Sequence, residues 1–329
     1  MTKEKDMEQS TRTFPAVSVV MATYNGAKYL REQLDSILAQ TYPVSEIIIQ
    51  DDGSVDATPV ICHEYEVRYG NIRFFQNTFN LGFNRNFQTA VMRATGEYIA
   101  LSDQDDIWFP EKIEKQVAAI GDHDACYSAH TRGKDMHHAR VVCPKCSPEA
   151  QLFYGFAGHT MLFRRDFIQN LNNWIPYIIY DWGLELSAHA GKGIAFVPQP
   201  LNWHRSNEES ACAVMNKKNG VNAAERPTWQ PYLYGWRNYR RLQQESNWKP
   251  LYEHVSHIYT KNNLHLAQDM VRLMLSRSPW ALLRLCLICC RHRTTIYPGN
   301  VRKGWKGMMR GFFFPFIFAY HNYEYRLNQ

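Results

Sequence analysis

The chain has 329 residues, 45% of them hydrophobic and 21% charged. That balance excludes a disordered or fibrous protein and allows one large domain plus an appendage. Lys and Arg number 37 against 31 Asp and Glu, yet residues 1–210 hold 19 basic and 26 acidic residues (−7) while residues 211–329 hold 18 and 5 (+13). Such a split predicts an acidic front and a basic rear that meets something anionic; with no recognisable nucleic-acid module, nucleic acid is not the expected partner.

Residues 1–14 are polar and predict a flexible tail with no secretion signal. The eight irregularly spaced cysteines then read as reduced thiols of a cytoplasmic protein. From residue 17 the pattern alternates: VSVVMA (17–22) predicts a strand and AKYLREQLDSILAQ (27–40) a helix. SEIIIQDD (45–52) is a second strand, followed by a helix from Asp56 to Tyr69. NIRFFQN (71–77), FNRNFQTAVMRA (83–94) and GEYIALSD (96–103) continue as strand, helix and strand. This order implies βαβ units and a doubly wound, mostly parallel sheet, whose ligands bind beyond the carboxyl ends of its strands.

After residue 120 the alternation breaks. Residues 121–152 read as a long surface loop or hairpin, in which CPKC (143–146) beside His137 and His138 is either half a zinc site or a loop with two thiols. FAGHTMLFRRDF (156–167) predicts a strand entering a helix, YDWGLELSAHAGKG (180–193) a helix, and IAFVPQPLNWHR (194–205) a strand. From about residue 230 the chain reads as helical.

The chemistry-bearing residues cluster at the predicted strand ends. TYNG (23–26) opens a helix with Thr23 and Asn25, where main-chain N–H groups favour an anion or nucleotide. In DDGSVDAT (51–58), Asp51 or Asp52 is placed to accept the ring N–H of a pyrimidine base, and Asp56 to cap the next helix. NLGFNRNF (80–87) adds Arg85 and Asn86. In LSDQDDIW (101–108), Asp103 and Asp105 form a D-x-D beside Asp106, a set that suits Mg²⁺ or Mn²⁺ shared with substrate phosphates. Asp106 reads as a structural acid, and Trp108 as either a lid or a packing residue.

These strings, in this order and at these intervals, resemble the family 2 inverting glycosyltransferases of the GT-A fold, most closely bacterial rhamnosyltransferase-type enzymes of surface-polysaccharide assembly. The resemblance implies an α/β, Rossmann-like GT-A domain over residues 15–210. It places the nucleotide-sugar contacts at Thr23, Tyr24, Asn25, Asp51, Asp52, Arg85, Asn86, Asp103 and Arg205, and a metal site at Asp103, Asp105 and His204. YDW matches the family's base motif, making Asp181 the general base with Trp182 and Trp108 on the acceptor side. His159 is either an acceptor-site residue or a structural histidine. In PLNWHRSN the position of the family's histidine holds Asn207, which leaves His204 as the third ligand. The implied reaction moves one sugar from a UDP- or dTDP-sugar to a glycan or lipid-linked acceptor. The Q-x-x-R-W string of processive members is absent from the sequence, so a single transfer is expected.

The remaining residues, 211–329, predict a helical, basic and aromatic C-terminal region. GFFFPFIFAY (311–320), flanked by Arg302, Lys303, Lys306 and Arg310 and near Trp305, is too short to span a bilayer. It predicts either peripheral contact with anionic lipid on the inner face of a bacterial membrane or a helix covering the core. Two other function classes fit parts of this pattern. A nucleotidyltransferase would need a lysine- and glycine-rich loop near residue 25, where Lys28 stands alone; a non-catalytic nucleotide-sugar or membrane binder would not need Asp181.

Overall fold

The computed structural model describes residues 14–206, 229–262, 264–297 and 304–322. All of the expected tail but Phe14, together with Asn207 and the basic pair Arg302–Lys303, lies outside them. The front half runs β1 (Val17–Thr23), α1 (Ala27–Leu38), β2 (Glu46–Asp51), α2 (Thr58–Arg68), β3 (Ile72–Gln76), α3 (Phe83–Val91) and β4 (Tyr98–Ser102), as the alternation predicts. β1 to β4 are parallel, in the order β3-β2-β1-β4. β1, β2 and β4 are wholly or almost wholly buried, which is why they read as continuous apolar runs.

Beyond β4 the sheet continues with mixed polarity. β5 (Ile107–Trp108), α4 (Lys112–Ile120), β6 (Ala125–Gly133), β7 (Arg140–Val142) and α5 (Pro148–Gln151) precede β8 (Met161–Arg164), α6 (Arg165–Ile168), α7 (Tyr180–Ala190) and β9 (Ile194–Arg205). The order extends as β4-β8-β6-β9-β5, with β7 on β6. β8 is antiparallel to both β4 and β6, whereas β9 runs parallel to β6. The stretch expected as a surface loop or hairpin therefore contains the nine-residue strand β6, which pairs with β7 as a hairpin but runs through the sheet interior. ACYSAHTRG carries no β-branched apolar run, so its strand character comes from pairing on two sides. The paired register of β9 shifts twice opposite Ser128–Thr131, where Pro198 and Pro200 are accommodated.

One face of the sheet packs on α1, α2 and α4, the other on α3, α6 and α7. The rear contributes α8 (Gln230–Leu242), α9 (Trp248–Lys261), α10 (His265–Leu275), α11 (Pro279–Arg291), α12 (Arg293–Ile296), α13 (Trp305–Phe312) and α14 (Phe314–Asn322). These helices share one hydrophobic cluster with Leu152, Phe153, Trp182, Leu186 and Ala190 of the front. No helix among the described residues is long and apolar enough to cross a membrane.

Candidate active site

The parallel strands bring their carboxyl ends to one edge, and the register sets Thr23 beside Asp51 and Met21 beside Ser102. Thr23 Oγ1 donates to Asp51 Oδ1 at 2.8 Å. Asp51 also accepts from Ser54 N, Ser54 Oγ and Gln76 Nε2, so its oxygens are used internally. Asp52 accepts from Asn77 Nδ2 and Leu81 N on Oδ1, and from Gly82 N on Oδ2. Fewer donors converge on Asp52, which leaves it more acceptor capacity toward a ligand.

The loop after β1 is held from two sides. Asn25 adopts a left-handed φ of 48°, its N–H donates to Ser54 Oγ and its Oδ1 accepts from Val55 N. Gln104 pairs reciprocally with the Tyr24 main chain, accepting from its N–H at 2.9 Å and donating to its carbonyl at 3.0 Å. The Gln104 side chain lies over Gly26, where a Cβ would sit 2.1 Å from Gln104 Oε1. A side chain at 26 would displace the Gln104 amide from its pairing with the Tyr24 main chain.

Behind that loop, fully buried Asp106 receives two imidazoles: His204 Nδ1 at 2.9 Å from Oδ1 and His159 Nδ1 at 3.0 Å from Oδ2. The His159 and His204 rings stack at 4.7 Å, with His130 edge-on to both. The imidazoles hold the Asp106 carboxyl far below the usual range even against its burial, and Asp106 in turn raises His204. Burial lowers His159 and pushes His130 down to about 3. Asp103 behaves oppositely: desolvation and the neighbouring Asp106 and Asp105 charges push it well above the carboxylate range.

Asp103, Asp106, His159 and His204 can each offer one ligand atom, all within 4.8 Å of one another. The Nε2 of buried His159 has no hydrogen-bond partner among the described residues, and Asp103 carries a repulsion that a cation would remove. Oxygen and imidazole donors of this kind fit a divalent metal. Asp105 is not in this group; its main-chain carbonyl accepts from Arg205 Nε at 3.1 Å.

Asp181 lies in the first turn of α7. Its Oδ1 accepts from Trp182 N and its Oδ2 from Gly158 N. Burial outweighs those two donors and raises its carboxyl to about 6. Its charge also acts on Asp103, which puts it within electrostatic reach of that four-residue group.

Residues 18–171 match the model described as Glycosyl transferase family 2. This stretch is a family 2 glycosyltransferase domain. Among curated relatives, dTDP-rhamnosyl transferase RfbG of Shigella flexneri is 32% identical over 182 residues, 50% of this chain and 63% of that one. EpsE of Bacillus subtilis, which carries a glycosyltransferase name, is 41% identical over 110 residues, 33% of this chain and 40% of its own. A Mycobacterium tuberculosis protein whose name assigns no activity is 43% identical over 213 residues, 57% and 58% of the two chains. The chain thus spans roughly two fifths to three fifths of these relatives' lengths. Among solved structures, S. aureus TarS 1–349 in complex with UDP-GlcNAc superposes with a TM-score of 0.56 at 16% identity, over 85% of this chain and 81% of that one. A Pyrobaculum calidifontis mannosyltransferase, PcManGT, solved with GDP-Man and Mn²⁺, gives 0.52 at 17% identity, over 94% and 87%. At such identities the likeness shows the fold, which is GT-A.

The family 2 domain, with α7 and the strand β9 beyond it, gathers Thr23, Tyr24, Asn25, Asp51, Asp52, Asp103, His159, Asp181 and His204 around one edge. Arg205 reaches it too, ion-paired to Glu32 at 2.5 Å and stacked over Tyr29 and Trp203. Arg85 is exposed on α3, while Asn86 is buried and ties Asn77 to the Gln50 carbonyl. Trp108 is 2% exposed under Lys112, and Trp182 is turned into the rear core with Nε1 on the Gln151 carbonyl; neither presents a face to the cleft. His130, Asn202 and Gln104 are the site residues sequence reasoning passed over, and Asp106, read as a structural acid, is the one that holds both imidazoles. A carboxylate next to a D-x-D was the available signal for Asp106, but its partners lie on β9 and before β8. Around Cys143 and Cys146 no group of three or more metal-capable side chains forms among the described residues.

Proposed function

We propose that the chain is a metal-dependent inverting glycosyltransferase. It moves one sugar from a UDP- or dTDP-sugar to a hydroxyl of a glycan or lipid-linked acceptor, at the cytoplasmic face of a bacterial membrane during surface-polysaccharide assembly. The observation that carries this reading is Asp181: a carboxyl raised to about 6 at the start of α7, beside the Asp103 and His204 group. Elevation to that range suits a general base working near neutral pH.

The loop at residues 23–26 and Asp52 take the nucleotide, and Arg205, held in place by Glu32, meets the diphosphate. Asp103 and His204 would hold the cation, with Asp106 fixing the His204 ring through Nδ1 in the carboxylate–histidine arrangement common at metal sites. A divalent ion there supplies charge neutralisation for the departing diphosphate. Asp181 removes the acceptor hydroxyl proton and the oxygen bonds to the anomeric carbon from the face opposite the diphosphate. The old glycosidic bond breaks with its electron pair on the diphosphate oxygen, inverting the centre. Relatives and structural neighbours named for dTDP-rhamnosyl, UDP-GlcNAc and GDP-Man chemistry support a nucleotide-sugar donor.

The test is thermal stabilisation by a panel of nucleotide sugars with and without Mn²⁺, followed by product analysis with the donor selected. A melting shift that requires both metal and one donor is expected. Absence of any shift across the panel would overturn the reading.

A further inference from the structure

The apolar string 311–320, read as either a membrane contact or a helix covering the core, is largely taken up by the core: Phe314, Phe318, Ala319 and Tyr320 are buried, with Phe314 and Phe318 packed on Phe153. A different surface stays open. Along α11, Leu282, Leu285, Cys286 and Cys289 face inward, whereas Trp280, Leu283, Arg284, Leu287 and Arg291 are exposed, the spacing of a single outward face. Trp280 is 78% exposed. α13 lies against the same helix through glycine: a Cβ on Gly311 would stand 3.1 Å from the Cys289 carbonyl and Cys290 Cα, and Cys290 Sγ lies 3.4 Å from the Met308 carbonyl. Its outward residues are Trp305, 70% exposed, Lys306, Met308 and Met309.

We propose that this adjoining face of α11 and α13 is a docking surface for an anionic lipid bilayer. The assignment deepens the membrane-side reading above and rests on it for its purpose, since a lipid-linked acceptor would be presented there. Charge selects the occupant. Between Asp269 and Glu324 the sequence has nine Lys or Arg and no acidic residue. A second copy meeting this face two-fold would set like charges against each other. Neutral lipid would leave the cations without counter-charge. An anionic surface accepts both sets: tryptophan rings seat at the headgroup level while Arg and Lys stems lie along apolar area with their charges toward phosphate.

The experiment is flotation of the full chain with phosphatidylcholine vesicles, with and without phosphatidylglycerol. It needs neither donor nor turnover, so its failure is separable from failure of the glycosyl-transfer reading. Binding to the phosphatidylglycerol vesicles is expected, weakened by salt, with a blue shift of tryptophan emission. The triple variant W280S/L287S/W305S should lose about tenfold or more of that affinity, and R284E/K306E should lose it while retaining all three apolar residues. Every substituted side chain is exposed, so both variants should keep the parent melting temperature and donor-induced shift. Equal binding to both vesicle types, or no binding to either, overturns the proposal. So does a concentration-dependent dimer that the same substitutions dissolve, or retention only by an acidic protein surface.

Discussion

At Asp181 two opposing effects meet on one carboxyl. Main-chain N–H groups at the start of α7 favour its charge, but removal from water disfavours it more, and the balance lies at about 6. Because the base acts ionised, kcat should rise with pH through about 6 and then level off; a limb near 4 in a single-turnover pH profile would contradict this. Asp181→Asn should lower kcat by roughly 10²–10⁴ with donor affinity retained. The stability sign is opposite to that of a salt-bridged acid. The folded chain binds this proton more tightly than the unfolded one, so the group costs stability as pH rises from the ordinary 3.8 through about 6. Urea titrations should therefore find the Asn variant as stable as the parent or more so at pH 7, with the advantage gone at pH 4. The position of Asp181 at a helix start was legible in the sequence from YDW. The partners of Asp106, read as a structural acid, were not, since they are His204, 98 residues away, and His159, which no local pattern connects to it.

Among the elements, the joint between the 155–158 segment and α7 governs how the proposed base is aimed. Both Glu185 oxygens accept from Phe156 N, one turn of α7 beyond Asp181, and Gly158 N reaches Asp181 itself. Two glycines make the approach possible: a Cβ on Gly155 would lie 2.8 Å from Trp182 Cβ, and one on Gly158 2.4 Å from Tyr180 Oη. Gly158→Ala should push the segment off the helix and lower kcat by roughly 10–100-fold. Donor-induced stabilisation should be unchanged, and calorimetry of donor binding to that variant checks the split. Three of the four parallel strands, β1, β2 and β4, were readable because burial on both faces leaves an apolar run that ends in polar turn residues. β6 escaped because its side chains alternate Cys, Tyr, Ser, Ala, His and Thr, a mixture that only its neighbours β8 and β9 make into a strand. The direction of Trp182 could not be read either: whether a helix residue faces the cleft or a rear bundle depends on what packs behind it.

For the whole molecule, the basic rear and the acidic front are one packed body among the described residues. Trp248 is 2% exposed, donates Nε1 to the Met274 carbonyl and lies against Tyr239, Tyr252 and Phe318, in the cluster that also holds Trp182 and Leu186. Trp248→Ala should cost about 3–5 kcal/mol of unfolding free energy, read from denaturant curves monitored both on the rear tryptophans and on donor binding. The two readouts should shift together; a change confined to the rear signal would mean the halves unfold separately. α7 explains why they are joined. Leu184 and Ala188 belong to the sheet-side core, Trp182, Leu186 and Ala190 to the rear one, so the helix has no free flank. A substitution on either side of it must be answered by a matching change in a different core. Swapping the rear helices for those of a relative is then not a modular exchange, because the graft would also have to supply the mould in which this helix, and Asp181 at its tip, is set.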